Sequence, residues 1–235
     1  MSKDSVLQTA HVVASIAHDL RSPLNAVLGF SRVLLKGIDG PLSDQQTADL
    51  EAIYSNGNEM LEMVNDLIDI AKAEAGCLAP SPTVVYLPSL FEKVLYLVRP
   101  VLEKEIDLAI DATDTSLFVQ ADVAQLQRAL EGLLVAAAHL VDAGSVTLTA
   151  KIEGENAVVQ ITSLASEKLA SSRRAVLDAF RSSGMSPQSR LDAIGLKLLV
   201  GKQWIALNGG ALHVDDPSEK RITLTFSMPL TALQP

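Results

Sequence analysis

The chain has 235 residues, 48% of them apolar and only 4% aromatic, and a formal net charge of −9. This length is enough for one large domain or two modest domains with cores of aliphatic side chains. The negative charge argues against general nucleic-acid binding, because a phosphate backbone would be repelled. The single cysteine, Cys77, excludes an internal disulfide, and four histidines without cysteine partners do not indicate a zinc or other metal site.

No segment of the sequence has the pattern of a membrane span. The longest nearly uncharged apolar run, residues 132–141, is far shorter than the roughly 20 residues that cross a bilayer. The first residues lack the charged-then-apolar order of a secretion signal. We therefore expect a cytoplasmic protein.

Two long helices are predicted in the first third of the chain, because apolar residues recur there at alternating steps of three and four. The segment between them, "KGIDGPLSDQQ", supplies an end and a start. Pro41 blocks continuation of the first helix, and Ser43 with Gln46 three residues later forms a capping box for the second. The prediction is an antiparallel hairpin of helices at about 5–36 and 43–75.

A lone helical hairpin buries too little apolar surface along one seam to be stable. We therefore expect two copies of the chain to pair through their hairpins into a four-helix bundle, which makes the protein a homodimer.

The periodicity changes after the second helix. The stretch "GCLAPSPTVVYLP" has three prolines and one glycine in 13 residues, which is typical of a linker or of an extended crossing segment. Beyond it, helical and alternating strand patterns succeed one another, which predicts an α/β sandwich with one sheet covered by helices on one face. The whole chain is then an α+β protein with a hairpin at 1–75, a linker at 76–88 and a sandwich at 89–235.

The segment "HDLRSPL" on the first helix carries a family likeness. With the linker and sandwich that follow, it resembles the catalytic core of the sensor histidine kinases of two-component signalling, over residues 10 to 230. The resemblance implies that His18 carries a phosphoryl group, that Asp19 hydrogen-bonds its ring and acts as base, and that Ser22 stands where the family often has Thr or Asn to position a water for dephosphorylation. The chemistry is sound, since imidazole has a free lone pair at neutral pH. Alternatively, Asp19 and Ser22 are ordinary helix residues that face solvent.

The sandwich departs from the family at the residues that bind nucleotide. In these kinases a helix carries two asparagines, one of which helps to hold magnesium. The matching helix here, "QLQRALEGLLVAAAHL", has Gly132 and Ala136 at those places. Neither residue has a side chain that can ligate a metal.

Two further boxes of the kinase family are also altered. The family's adenine-binding aspartate is replaced by Ser163 in "VVQITSLASEKL", and its spaced glycines by Ala165 and Glu167. In "IGLKLL", Gly195 keeps the first glycine of a repeated Gly-Leu pair, whereas Lys197 replaces the second. We therefore expect no bound ATP or magnesium and no ATP-dependent autophosphorylation.

Three functions remain open at this point. The preferred one is a degenerate histidine kinase in which His18 exchanges a phosphoryl group with the aspartate of a response-regulator receiver domain. The second is an ATP-dependent histidine autokinase with an atypical nucleotide site, which would require ATP and magnesium. The third is a non-catalytic scaffold that binds or sequesters a regulator.

Overall fold

A computed structural model of the chain describes residues 3–38, 40–102, 105–112, 116–141, 143–167, 177, 180, 193–218 and 220–231. The chain divides into two compact units, Met1–Leu78 and Ala79–Pro235. Within the described ranges, no helix combines the length and apolar character needed to cross a membrane.

The first unit is the predicted helical hairpin. Helix α1 spans Lys3–Leu35 and helix α2 spans Asp44–Glu74. The capping box is confirmed: Ser43 Oγ accepts from the Gln46 backbone N–H at 3.3 Å, and Gln46 Oε1 accepts from the Ser43 N–H at 2.9 Å. This box starts α2 where the sequence predicts it to start.

A small apolar core holds α1 and α2 together. Ala17 of α1 is buried with Val64 and Ile68 of α2, and Leu24 packs against this cluster. Further along, a Cβ added to Gly57 of α2 would lie 2.9 Å from Leu28 Cδ2 of α1. The glycine therefore lets the two helices approach closely at that level.

The second unit is a sandwich, as predicted. In chain order its elements are β1 (Thr83–Tyr86), α3 (Leu87–Val98), β2 (Ile106–Asp111), β3 (Phe118–Ala121), α4 (Val123–His139), β4 (Gly144–Glu153), β5 (Asn156–Ala165), α5 (Ala193–Leu207), β6 (Ala211–Ser218) and β7 (Arg221–Pro229). The main sheet has the order β2-β4-β5-β7-β6, with β2 parallel to β4 and the other pairs antiparallel. Strands β1 and β3 form a separate antiparallel pair.

Side-chain burial alternates along the central strands, so the main sheet has one buried face and one half-exposed face. One set of residues is buried and the intervening set, rich in threonine, is half-exposed. Helix α4 packs on β4, β5 and β7, and α5 packs on α4 and β6. The buried residues of the central strands are Val146, Leu148, Ala150, Ala157, Val159, Ile161, Ser163, Ala165, Ile222, Leu224, Phe226 and Met228.

The segment 76–88, predicted as a linker, contains a short strand. Residues 83–86 form β1, which pairs with β3 in register from Thr83 opposite Ala121 to Tyr86 opposite Phe118. The Tyr86 and Phe118 rings stack with centroids 4.8 Å apart. Pro80 and Pro82 precede this strand and Pro88 lies in the first turn of α3, so none of the three has to donate an N–H to the β1–β3 ladder.

Asp122 fixes the start of α4. Its Oδ1 accepts from the backbone N–H groups of Ala124 at 3.0 Å and Gln125 at 3.1 Å, and its Oδ2 accepts from the Ser81 N–H at 3.0 Å. The Asp122 N–H donates to Asn208 Oδ1 at 2.7 Å. One side chain therefore joins the entry of the second unit to α4, and its backbone reaches the end of α5.

Replacing Asp122 with alanine should lower the free energy of unfolding of the second unit by about 1–2 kcal/mol at pH 7, the usual cost of losing an N-cap. The N–H groups of Ser81, Gln125 and Ala124 hold the pKa of Asp122 below its usual range. This stabilisation is therefore complete above the unfolded pKa of ~3.9 and is lost as pH falls through the folded pKa. Denaturant unfolding from pH 7 to pH 3 measures it.

Two matched variants make that experiment specific. Asp122→Asn keeps one oxygen to accept from Ala124 and Gln125, loses the one that accepts from Ser81, and cannot titrate. It should therefore retain part of the stability and lose the pH dependence that Asp122 contributes. Asp111→Ala removes a carboxylate from the exposed end of β2 and should change little. Equal stability of Asp122→Ala and wild type at pH 7 would show that the cap contributes nothing.

Candidate functional site

His18 projects from the middle of α1, beside the buried Ala17. The His18 side chain is 82% exposed and that of Asp19 is 78% exposed. The His18 Nδ1 atom lies 3.3 Å from Asp19 Oδ1. The ring is therefore open to solvent and held on one side only.

The Asp19 contact favours one ring nitrogen for reaction. The contact between Nδ1 and Oδ1 is a hydrogen bond in the tautomer that carries its proton on Nδ1, because a carboxylate can only accept. The lone pair then resides on Nε2, which faces away from Asp19. The geometry therefore presents Nε2 of His18 as a nucleophile to a molecule arriving from solvent.

Ser22 lies one turn after His18 and is exposed on the same side of the helix. Pro23 follows within α1, which continues through it. The proline has no N–H to donate to the carbonyl four residues earlier, that of Asp19. The backbone next to His18 therefore has one hydrogen bond fewer than an ordinary helix.

Arg21 makes a contact that the sequence did not predict. Its Nε donates to Asn65 Oδ1 of α2 at 3.0 Å, and its Nη2 donates to the same oxygen. These two polar residues are 44 positions apart, and no hydrophobic periodicity pairs them. Their neighbours Ala17 and Val64 lie in the same buried cluster, and that packing is what brings the two polar side chains together.

In the second unit, Gly132 of α4 lies close to Lys197 of α5, and the resemblance aligns both with altered positions of the kinase pattern. A Cβ added to Gly132 would lie 3.8 Å from the Lys197 carbonyl oxygen and 4.0 Å from Lys197 Cβ. A Cβ added to Gly201 would lie 2.6 Å from Leu133 Cδ2. Helices α4 and α5 are thus packed closely along this contact, and Gly195 and Lys197 are half-buried in the first turns of α5.

Ser163 and Ala136 are both fully buried. The Ser163 hydroxyl donates to the Ala137 carbonyl oxygen of α4 at 2.9 Å. Ser163, which the resemblance aligns with the family's adenine-binding aspartate, therefore ties β5 to α4 within the protein core. Its single proton is used by this bond.

Hydrogen bonds within the protein also fix the end of β5 after Ser163. The Ala165 N–H donates to the Lys220 carbonyl at 2.8 Å, and the Ser166 N–H donates to the Ala143 carbonyl at 2.9 Å. Lys220 Nζ donates to the Ser166 carbonyl at 2.8 Å. Glu167 is exposed just beyond these bonds, where it adds a negative charge.

Comparison with known proteins agrees with this arrangement. Residues 9–76 match the His Kinase A (phospho-acceptor) domain family. The circadian input-output histidine kinase CikA of Synechococcus elongatus is 28% identical over 222 residues, which are 92% of this chain and 29% of that protein. The chain spans 27% to 32% of the length of three curated relatives that it matches.

Two solved structures share the fold of the whole chain. Full-length ShkA in complex with AMPPNP has a TM-score of 0.72 at 24% identity, covering 96% of this chain and 47% of that one. The histidine kinase ThkA in complex with the response regulator TrrA has a TM-score of 0.65 at 17% identity, covering 98% and 64%.

Residues 9–76 therefore belong to the His Kinase A (phospho-acceptor) domain family, and the matches over the rest of the chain support a sensor histidine kinase catalytic core. With the sheet domain, the hairpin has the architecture of such a core.

Proposed function

We propose that His18 exchanges a phosphoryl group with the aspartate of a response-regulator receiver domain, and that the chain does this without binding ATP of its own. The observation that carries the proposal is a contrast between two sites. His18 is 82% exposed with its Nε2 directed away from Asp19, whereas Ser163 is 0% exposed with its hydroxyl bonded inside the core.

The residues at the nucleotide positions do not fit ATP and magnesium. Gly132 and Ala136 offer no metal ligand, and Ser163 cannot receive the adenine amino group in place of an aspartate while it is buried against α4. Each lost buried partner costs ~1–3 kcal/mol, so several together weaken nucleotide binding by roughly 10² to 10⁴. Glu167 adds repulsion toward phosphates.

A homodimer is part of the proposal. Besides the side that faces its own partner helix, the hairpin has a second apolar side, with Phe30 72% exposed and Ile16 54% exposed. Three more apolar residues of α2, Ile53, Met60 and Leu67, are exposed at intervals of seven. A heptad interval of this kind is the seam of a helical bundle, and a second copy of the hairpin would cover it.

Two other functions, an ATP-dependent autokinase and a non-catalytic scaffold, are separated from the proposed one by experiment. The ShkA structure contains AMPPNP, which keeps an ATP-dependent autokinase as the second candidate. The ThkA structure contains a response regulator, which is equally compatible with a scaffold that binds a regulator without chemistry.

The test compares two phosphoryl donors on the full chain. The donors are labelled ATP with magnesium and each receiver domain encoded in the same genome, phosphorylated with labelled acetyl phosphate. Label acquired from a receiver and not from ATP supports the proposal. Label acquired from ATP establishes the autokinase, and a receiver that binds without transferring label establishes the scaffold.

A further inference from the structure

Arg21 is the one strong positive charge near His18 in the hairpin. The sequence has no other Lys or Arg from residue 4 to 31, and none from 44 to 71. Three carboxylates of α2 belong to the same stretch as Asn65: Glu62, Asp66 and Asp69. A phosphoryl group on His18 would add roughly two negative charges beside Asp19, as phosphorylation does elsewhere. Arg21 is the side chain suited to neutralise them.

The position of Arg21 on α1 allows it to reach that group. It follows His18 by three residues, and residues three apart are neighbours on a helix surface. In this structure its guanidinium is instead bonded through Nε and Nη2 to one uncharged oxygen, Asn65 Oδ1, in an exposed setting.

The two acceptors differ in strength. The guanidinium charge assists both kinds of bond, but a phosphoryl group adds its own negative charge and offers two oxygens to the parallel donors of the fork. An amide oxygen lacks that charge and receives both Arg21 donors on one atom. A phosphoryl group within reach should therefore displace Asn65.

We propose that Asn65 is a positioning residue that holds Arg21 while His18 is unmodified, and that Arg21 leaves Asn65 to bind the phosphoryl group once His18 carries one. This inference rests on the proposed phosphorylation of His18. Because Asn65 competes with the phosphoryl group for Arg21, the two side chains have opposite effects on the stability of phosphohistidine.

The test uses phosphoramidate, a small phosphoryl donor that requires neither ATP nor a receiver. Nε2 of His18 bonds to phosphorus, the phosphorus–nitrogen bond of phosphoramidate breaks, and the imidazole proton ends on the released ammonia. Phosphorus NMR measures the phosphohistidine signal at equilibrium in the full chain, and the signal lost in His18→Ala identifies the site.

The variants have expected effects of opposite sign. Arg21→Ala should lower the equilibrium ratio of phosphorylated to free His18 about tenfold, the value of one charge-assisted bond. Asn65→Ala should raise the ratio about twofold, since only a weak competitor is removed. The double variant should behave like Arg21→Ala, because Asn65 acts through Arg21.

Two controls separate this role from simple support of the hairpin. Asn58→Ala removes another α2 amide, whose Nδ2 donates to the Tyr54 carbonyl within the same helix, and should leave the ratio unchanged. Phosphorylation should also shift the Nε–Hε resonance of Arg21 in wild type and leave that of Arg32 in place.

Each outcome of the phosphoramidate experiment either supports or overturns the proposed role of Arg21 and Asn65. Opposite shifts for Arg21→Ala and Asn65→Ala, with a moving Arg21 resonance, support the inference. Equal ratios, or a fall in both single variants, overturn it and leave the proposed function intact if wild-type His18 accepts label from a receiver. Absence of phosphohistidine in wild type with both phosphoramidate and receivers would refute the proposed function as well.

Discussion

Replacing His18 with alanine should abolish phosphoryl transfer from a phosphorylated receiver domain to this chain. Alanine has no nucleophile, and removing the nucleophile of a covalent step costs more than about 10³-fold in rate. Transfer is followed by acid-labile label on the purified chain after mixing with the labelled receiver. In wild type the label should be on Nε2, since Nδ1 is engaged by Asp19.

Two companion variants sharpen this experiment. His139→Ala removes a second exposed histidine, at the end of α4, and should leave transfer unchanged. Asp19→Asn keeps the shape of the neighbour but cannot take up the Nδ1 proton, so transfer should slow about tenfold or more. Label that persists in His18→Ala would place the acceptor elsewhere and contradict the assignment.

Placing a charge at Phe30 should dissociate the dimer. Phe30 is 72% exposed in the single chain, on the apolar side of α1 that we assign to the second copy. An aspartate there would be buried without a partner in each subunit, which costs about 3–5 kcal/mol per uncompensated charge. Phe30→Asp should therefore raise the dimer dissociation constant by at least about 100-fold in sedimentation equilibrium.

Tyr96 provides the matched control for the dimer experiment. It is 80% exposed on α3, outside the hairpin, and Tyr96→Asp should leave the dissociation constant unchanged. A wild-type chain that stays monomeric at high micromolar concentration, or a Phe30→Asp variant that dimerises normally, would contradict the bundle.

The elements with strong local signals were predictable from the sequence. Ser43 and Gln46 define the start of α2 because a capping box satisfies two backbone donors in one short stretch. The alternation of apolar and polar residues in β4, β5 and β7 predicts a sheet with one covered face, as the structure shows. Strand β1 was missed because four residues between prolines carry too little pattern to compete with a linker reading.

Contacts of polar side chains with residues distant in the chain could not be predicted from the sequence. The resemblance places Ser163 at the family's aspartate, but the bond from its hydroxyl to the Ala137 carbonyl depends on how β5 meets α4. The contact between Arg21 and Asn65 likewise depends on the relative rotation of α1 and α2. Hydrophobic periodicity defines which faces meet and says little about the polar residues at their margins.

We propose that the phosphoryl group on His18 does not come from ATP bound by this chain. A calorimetric titration of the full chain with ATP and excess magnesium is the sharpest test of this proposal. We predict no saturable heat up to about 1 mM nucleotide, in keeping with the loss of several binding partners. Saturable binding with a dissociation constant below about 100 μM would contradict the claim.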